Sequence, residues 1–222
     1  MVVMKFKLSI CILLWVCING VLTAQLPFWT EIRAFSTQDS IKPKPDGEIV
    51  FTGSSSIRLW KTLDQDFPGY TIINRGFGGS SLPHVIQYVD QLVIRYHPRQ
   101  VVIYCGENDL SSDSTIDGKT VFKRFKSLHK LIHGILPRCN IVFISLKPSP
   151  SRAHLHNKIL DANRRIKKFI KNKSYLAYAD VFTPMLNADG KPREELFVGD
   201  RLHMNEKGYA IWKTVLAPYL IK

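Results

Sequence analysis

A chain of 222 residues with 45% hydrophobic content is long enough for one sizeable α/β domain and can bury a core without metal or disulfide staples. Of its four cysteines, Cys11 and Cys17 fall in an apolar N-terminal stretch, and the remaining Cys105 and Cys139 make neither a disulfide framework nor a zinc-binding spacing. The formal charge of +13 permits peripheral attraction to anionic surfaces such as phospholipid headgroups or acidic polysaccharide, but no recognition motif points to nucleic acid.

Lys5 and Lys7 precede an almost wholly apolar run, Leu8 to Val21, and small or polar residues follow at Thr23 and Ala24. This is the layout of a secretory signal peptide over residues 1–24, which leaves a single domain over 25–222 and predicts export to a periplasmic or extracellular space. An uncleaved anchor is the alternative, but the apolar run is short for a membrane span.

Leu26 to Ser40 reads as a first helix, with Phe28, Ile32 and Phe35 on one side, and Lys42 to Gly47 is a linker. Ile49-Val50-Phe51 is a short apolar run of the kind buried on both faces of a sheet. Gly53 breaks it, Ser54, Ser55 and Ser56 follow, and Ile57, Leu59, Trp60 and Leu63 recur at roughly helical spacing. The reading is strand, tight turn with serines, helix.

Pro68-Gly69 marks a turn into a second strand, Tyr70 to Asn74, which ends in the glycine-rich loop Arg75-Gly76-Phe77-Gly78-Gly79-Ser80-Ser81. Leu82, Val85, Tyr88, Val89, Leu92 and Val93 predict an amphipathic helix, and Gln100 to Cys105 a third strand ending in Gly106-Glu107-Asn108-Asp109. A long helix spans Val121 to Ile135, a fourth strand Asn140 to Leu146, a helix Leu155 to Lys173 and a short fifth strand Tyr175 to Asp180. Asp200-Arg201-Leu202-His203 precedes a last helix around Gly208 to Leu220. The basic run Arg164 to Lys171 has apolar residues at 166, 169 and 170, the spacing of a solvated helix face over a buried stripe.

Strands alternating with helices imply a parallel sheet covered on both faces. Right-handed crossovers put the carboxyl end of every strand on one edge. The polar groups after strands one, two and three therefore converge there with the loop before the last helix, although they are far apart in sequence. Cys105 and Cys139 fall at opposite edges of that sheet and are read as buried thiols.

Acyl transfer needs a nucleophile, a base, an orienter for the base and donors for an oxyanion. One of Ser54, Ser55 and Ser56 supplies the hydroxyl; spacing alone does not choose among them, and helix capping is the ordinary use of such serines. His203 is the best-placed base, and Asp200, three residues earlier, can fold back onto Nδ1. Candidate oxyanion donors are the N–H of the nucleophilic serine, the N–H of Gly79 and the side-chain amide of Asn108. Taken singly, each has a plain structural explanation; four such blocks at one sheet edge are hard to call coincidence.

The order Gly-x-Ser after strand one, Gly-Gly after strand two, Gly-x-Asn-Asp after strand three and Asp-x-x-His near the C-terminus resembles the SGNH hydrolases, also called the GDSL esterase/lipase family, from about Glu48 onward. The resemblance implies a flavodoxin-like three-layer α/β/α fold with a central, mostly parallel five-stranded sheet, and ester hydrolysis with no metal or cofactor. By position it makes Ser55 the nucleophile, Gly79 and Asn108 oxyanion donors with the Ser55 N–H, His203 the base and Asp200 its partner. Ser54 stands where family members commonly have an aspartate, a position outside the triad.

The expected substrate is a small-molecule or glycan ester. The chain has no long apolar insertion to act as a lid, which favours short acyl groups such as carbohydrate O-acetyl, with a lysophospholipid as the rival. Two further readings are a catalytically silent binding module on this fold and a flavin-binding redox protein whose glycine loop cradles phosphate. His129 and His133 have i,i+4 spacing without a third ligand, and no metal site is assigned. His154 and His156 follow Pro148 and Pro150 in a loop that can flank the cleft, and Arg58 and Glu107 are read as structural.

Overall fold

The structure is a computed structural model describing residues 26–222. The stretch read as a leader, 1–24, lies outside the described residues. Helix α1 (Trp29–Ile41) leads into strand β1 (Ile49–Gly53), whose five residues are all buried. Short helices α2 (Ser55–Arg58) and α3 (Leu63–Asp66) precede strand β2 (Ile72–Gly76). Then come α4 (Leu82–Gln87), α5 (Val89–Leu92), β3 (Gln100–Tyr104), α6 (Glu107–Ser112) and α7 (Gly118–Ile135). The chain closes with β4 (Asn140–Ile144), α8 (His156–Ile170), β5 (Leu176–Ala179) and α9 (Glu206–Leu216).

The five strands form one sheet in the order β2-β1-β3-β4-β5, and every pairing is parallel. This is the flavodoxin-like order, in which ligands sit outside the carboxyl ends of the strands. Strand side chains alternate between faces, so each face needs its own cover. On one face Phe51 and Tyr104 meet Trp60 and Trp212, with Tyr104 and Trp212 ring centroids 4.7 Å apart. On the other, Phe143 packs on Phe125 of α7 at 4.7 Å. The basic residues of α8 lie over a buried stripe that includes Ile159, Ala162, Ile166 and Ile170.

Two predicted helices are broken in the structure. The one after Ser54–Ser56 stops at Arg58 and resumes at Leu63. Between the pieces Trp60 turns into the core, and its Nε1–H and the Thr62 hydroxyl both donate to Asp66 Oδ2, at 2.7 and 2.6 Å. The predicted helix over Leu82 to Val93 divides at Tyr88, whose hydroxyl donates to the Pro27 carbonyl at 2.5 Å. The first break is held by these short-range bonds to Asp66 and leaves Leu59 only partly buried; at the second a long-range hydrogen bond accompanies the break.

Strand β2 runs two residues later than the predicted Tyr70 to Asn74, so that Gly76 pairs with Gly53. Its polar residues have partners that no local pattern reveals. Arg75 binds Asp39 and donates to the Tyr96 hydroxyl at 2.7 Å, while Asn74 donates to the Ile57 carbonyl at 2.9 Å. Among the described residues no helix is long and apolar enough to cross a membrane. Cys105 and Cys139 are buried and free.

Candidate active site

Gly53 ends β1 with φ +127°, and a Cβ there would lie 1.9 Å from the Tyr104 carbonyl oxygen. Only glycine lets β1 turn this tightly against β3. The turn is then tied on three sides. The Ser54 N–H donates to the Tyr104 carbonyl at 2.9 Å, Asn74 holds the Ile57 carbonyl, and the Tyr209 hydroxyl of α9 donates to the Ser56 carbonyl at 3.0 Å. Of the three serines, Ser54 and Ser56 are buried, at 4% and 2% exposure, while Ser55 is half-buried at the start of α2.

Ser55 Oγ lies 2.9 Å from Nε2 of His203, a residue 148 positions away in sequence. His203 Nδ1 is 2.5 Å from Asp200 Oδ2. Asp200 Oδ1 accepts the Leu202 and His203 backbone N–H groups, each at 2.9 Å. Partial burial pushes the Asp200 carboxyl up, but those two N–H groups and the His203 ring outweigh it and hold it at about 2. Asn205 anchors the far side of this loop: its Oδ1 caps α9 through the Lys207 and Gly208 N–H groups, and its Nδ2 donates to the Glu195 and Phe197 carbonyls.

Gly79 has φ +71°, a left-handed conformation natural to glycine, and a Cβ there would meet only Phe28 Cε1 at 3.9 Å. Its loop is braced from α1, where Glu31 Oε1 accepts the Gly78 N–H at 3.2 Å. The Phe28 ring packs on His84 and Phe77, and the half-exposed Arg58 guanidinium stands 3.8 Å from Glu31. Among the described residues neither the Ser55 N–H nor the Gly79 N–H has a protein acceptor.

Asn108 lies in the first turn of α6, directly after β3. Its Nδ2 donates to the Ser80 carbonyl at 2.9 Å, which leaves a second N–H, and its Oδ1 accepts Arg152 at 2.9 Å. The neighbouring Asp109 is fully buried; it accepts the Leu82 N–H at the start of α4 at 2.9 Å and pairs with Arg124 at 2.7 Å. Glu107 is also buried, with its carboxylate against Lys147 Nζ (2.7 Å), Arg152 (3.2 Å), the Ser149 hydroxyl (2.9 Å) and the Tyr104 hydroxyl (2.5 Å). Burial pushes its carboxyl up, and the Lys147 and Arg152 charges more than reverse this, to about 2.

Ser55, His203 and Asp200 thus form one hydrogen-bonded chain. Asp109, Arg152 and Lys147 were not singled out from the sequence. The Asp109 signal was its place beside Asn108; Arg152 and Lys147 carry none, because Asn108 and Glu107, which they bind, lie 40 or more residues away. His129 and His133 stack on Tyr175, with His133 and Tyr175 centroids 4.2 Å apart, as part of a ring cluster. Among the described residues no three His, Cys, Asp or Glu side chains are grouped to hold a metal.

A five-stranded parallel sheet with a hydroxyl, an imidazole and a carboxylate in line at its carboxyl edge is the arrangement of an esterase/lipase-type hydrolase. The sequence model of the GDSL-like lipase/acylhydrolase family matches residues 47–211, and the chain belongs to that family. No curated protein matches the sequence. The fold is similar to that of a GDSL-like lipase from Bacteroides thetaiotaomicron, with TM-score 0.73, 21% identity, and 85% of this chain and 96% of that one covered. It is also similar to a member of the lipolytic G-D-S-L family from Veillonella parvula, with TM-score 0.63, 19% identity and coverage of 77% and 96%. A mutant acetyl esterase holding an acetate ion aligns with TM-score 0.59 and 12% identity over 78% of this chain and 95% of that one.

Proposed function

We propose that this protein is an exported serine ester hydrolase that removes short acyl groups, such as O-acetyl groups on carbohydrate, by double displacement. The observation that carries the reading is the 2.9 Å contact between Ser55 Oγ and His203 Nε2, with Asp200 behind the ring. A serine hydroxyl attacks only if a neighbour takes its proton.

In the first step Ser55 Oγ bonds to the ester carbonyl carbon and its proton passes to His203 Nε2. The carbonyl oxygen becomes an oxyanion, which the Ser55 and Gly79 N–H groups and the free Asn108 amide N–H receive. The carbon–alkoxy bond then breaks, and the leaving alcohol takes the proton from His203. Water repeats the sequence: His203 accepts its proton, its oxygen bonds to the acyl carbon, and Ser55 leaves with the proton returned. Asp200, ionised above about pH 2, fixes the ring tautomer and stabilises the imidazolium without accepting the proton.

The lack of a long apolar insertion supports short acyl groups, as does the fold likeness to an acetyl esterase with bound acetate. The Lys5, Lys7 and Leu8–Val21 pattern supports export. The test is turnover of p-nitrophenyl acetate and acetate release from acetylated glycans, measured beside lysophospholipids. Wild type is expected to cleave the acetyl esters and Ser55→Ala to lose the activity. Equal turnover by both would remove the reading. Preference for lysophospholipids would move the substrate class, and failure to label with a fluorophosphonate would point to a binding module.

A further inference from the structure

Arg152 belongs to no block that defines the resemblance, yet among the described residues it is the one side chain joined to the Asn108 amide oxygen. We infer that Arg152 is a positioning residue for the oxyanion site: it sets which way the Asn108 amide faces and strengthens its N–H as a donor. This rests on the proposed hydrolase reading and names a part of that site.

An asparagine amide can flip, and only one orientation presents N–H to an oxyanion. Here both ends are held. The guanidinium donates to Oδ1 at 2.9 Å, and Nδ2 donates to the Ser80 carbonyl at 2.9 Å. A flipped amide would face N–H groups toward a cation and oxygen toward a carbonyl. A cation on Oδ1 also draws electron density from the amide, which makes the remaining N–H a better donor to a developing negative charge.

Arg152 is itself fixed. Its side chain is only 15% exposed, and its other contact is Glu107 Oε1 at 3.2 Å. Glu107 in turn faces the buried Lys147, so one carboxylate is shared by two cations, and the Asp200 charge also acts on Lys147. The segment holding Arg152 is also stapled to the loop between Asp200 and His203, because the Ser151 N–H donates to the Arg201 carbonyl at 3.1 Å. One short stretch thereby registers the base loop against the oxyanion donor.

The test is a double-mutant cycle on p-nitrophenyl acetate with Arg152→Met, Asn108→Ala and the pair together. Both chemical steps pass through the oxyanion, so kcat falls whichever limits turnover. Arg152→Met is expected to lower kcat at least tenfold with KM within about twofold, and Asn108→Ala by about 10²–10³. The double variant should match Asn108→Ala alone, because Arg152 has nothing left to position. Arg152→Gln, which keeps a neutral donor, should fall between wild type and Arg152→Met, and it carries the cycle if the methionine variant does not fold. Losses that multiply in the double variant, or an Arg152 variant with wild-type kcat, would overturn the inference while leaving the hydrolase intact. A wild type that neither labels with fluorophosphonate nor cleaves any ester would remove the hydrolase reading and this one with it.

Discussion

His203 and Asp200 are bound twice, once through the ring at 2.5 Å and once through the His203 backbone N–H, which donates to the other carboxylate oxygen at 2.9 Å. The loop therefore holds the carboxylate in place whether or not the ring is protonated. Asp200→Asn should keep the loop bonds to Oδ1 but reverse the donor at the ring, and kcat/KM at neutral pH should fall by about 10²–10⁴. The carboxyl is held at about 2, below its ordinary 3.8. Its ionised form thus adds to stability above pH 3.8, and that contribution is lost as pH falls through about 2. A pH–rate profile of the wild type should show no step from this carboxylate in the neutral range.

Burial separates the three adjacent serines. Ser54 and Ser56 are almost wholly covered, and Ser55 alone faces His203. Ser55→Ala should abolish labelling by a fluorophosphonate, and Ser54→Ala should keep it. Mass spectrometry of the labelled peptide should place the adduct on residue 55.

Gly53 and Gly79 both have positive φ but should respond differently to alanine. At Gly53 the new Cβ would overlap the Tyr104 carbonyl at 1.9 Å, so Gly53→Ala should fail to fold. At Gly79 the space is open, and the cost is the left-handed backbone, about 1–2 kcal/mol. Gly79→Ala should therefore fold, with a lowered melting temperature and a reduced kcat. Circular dichroism separates the two outcomes.

Glu107→Gln tests the buried cluster. Losing the carboxylate leaves Lys147 and Arg152 without their shared counter-charge, and breaking such a buried pair costs about 3–5 kcal/mol. The melting temperature should fall by roughly 10 °C or more. The wild-type carboxyl sits at about 2 against an ordinary 4.5, so it adds stability above pH 4.5 that fades as pH drops toward 2. Acid unfolding curves of Glu107→Gln should lack that dependence.

Glu31 lies outside residues 47–211, yet it accepts the Gly78 N–H of the glycine loop. Glu31→Ala should loosen that loop, worth about 1 kcal/mol for one hydrogen bond, and lower kcat several-fold with little change in melting temperature.

Strand and helix order and the parallel sheet were legible in the chain, which also raised the expectation that Ser55, Gly79, Asn108 and His203 converge on one edge of that sheet. Those features follow from local periodicity, from glycines at chain reversals and from the handedness of crossovers, all written in neighbouring residues. Spacing left three serines open and the family resemblance favoured Ser55; only the folded chain shows that Ser54 and Ser56 are buried while Ser55 meets His203. The break at Tyr88, the start of β2 at Ile72 and the partners of Arg152 and Glu107 required contacts between distant segments. A charged side chain reads as solvent-facing until packing takes its water away, and only the folded chain decides which cation then answers which carboxylate.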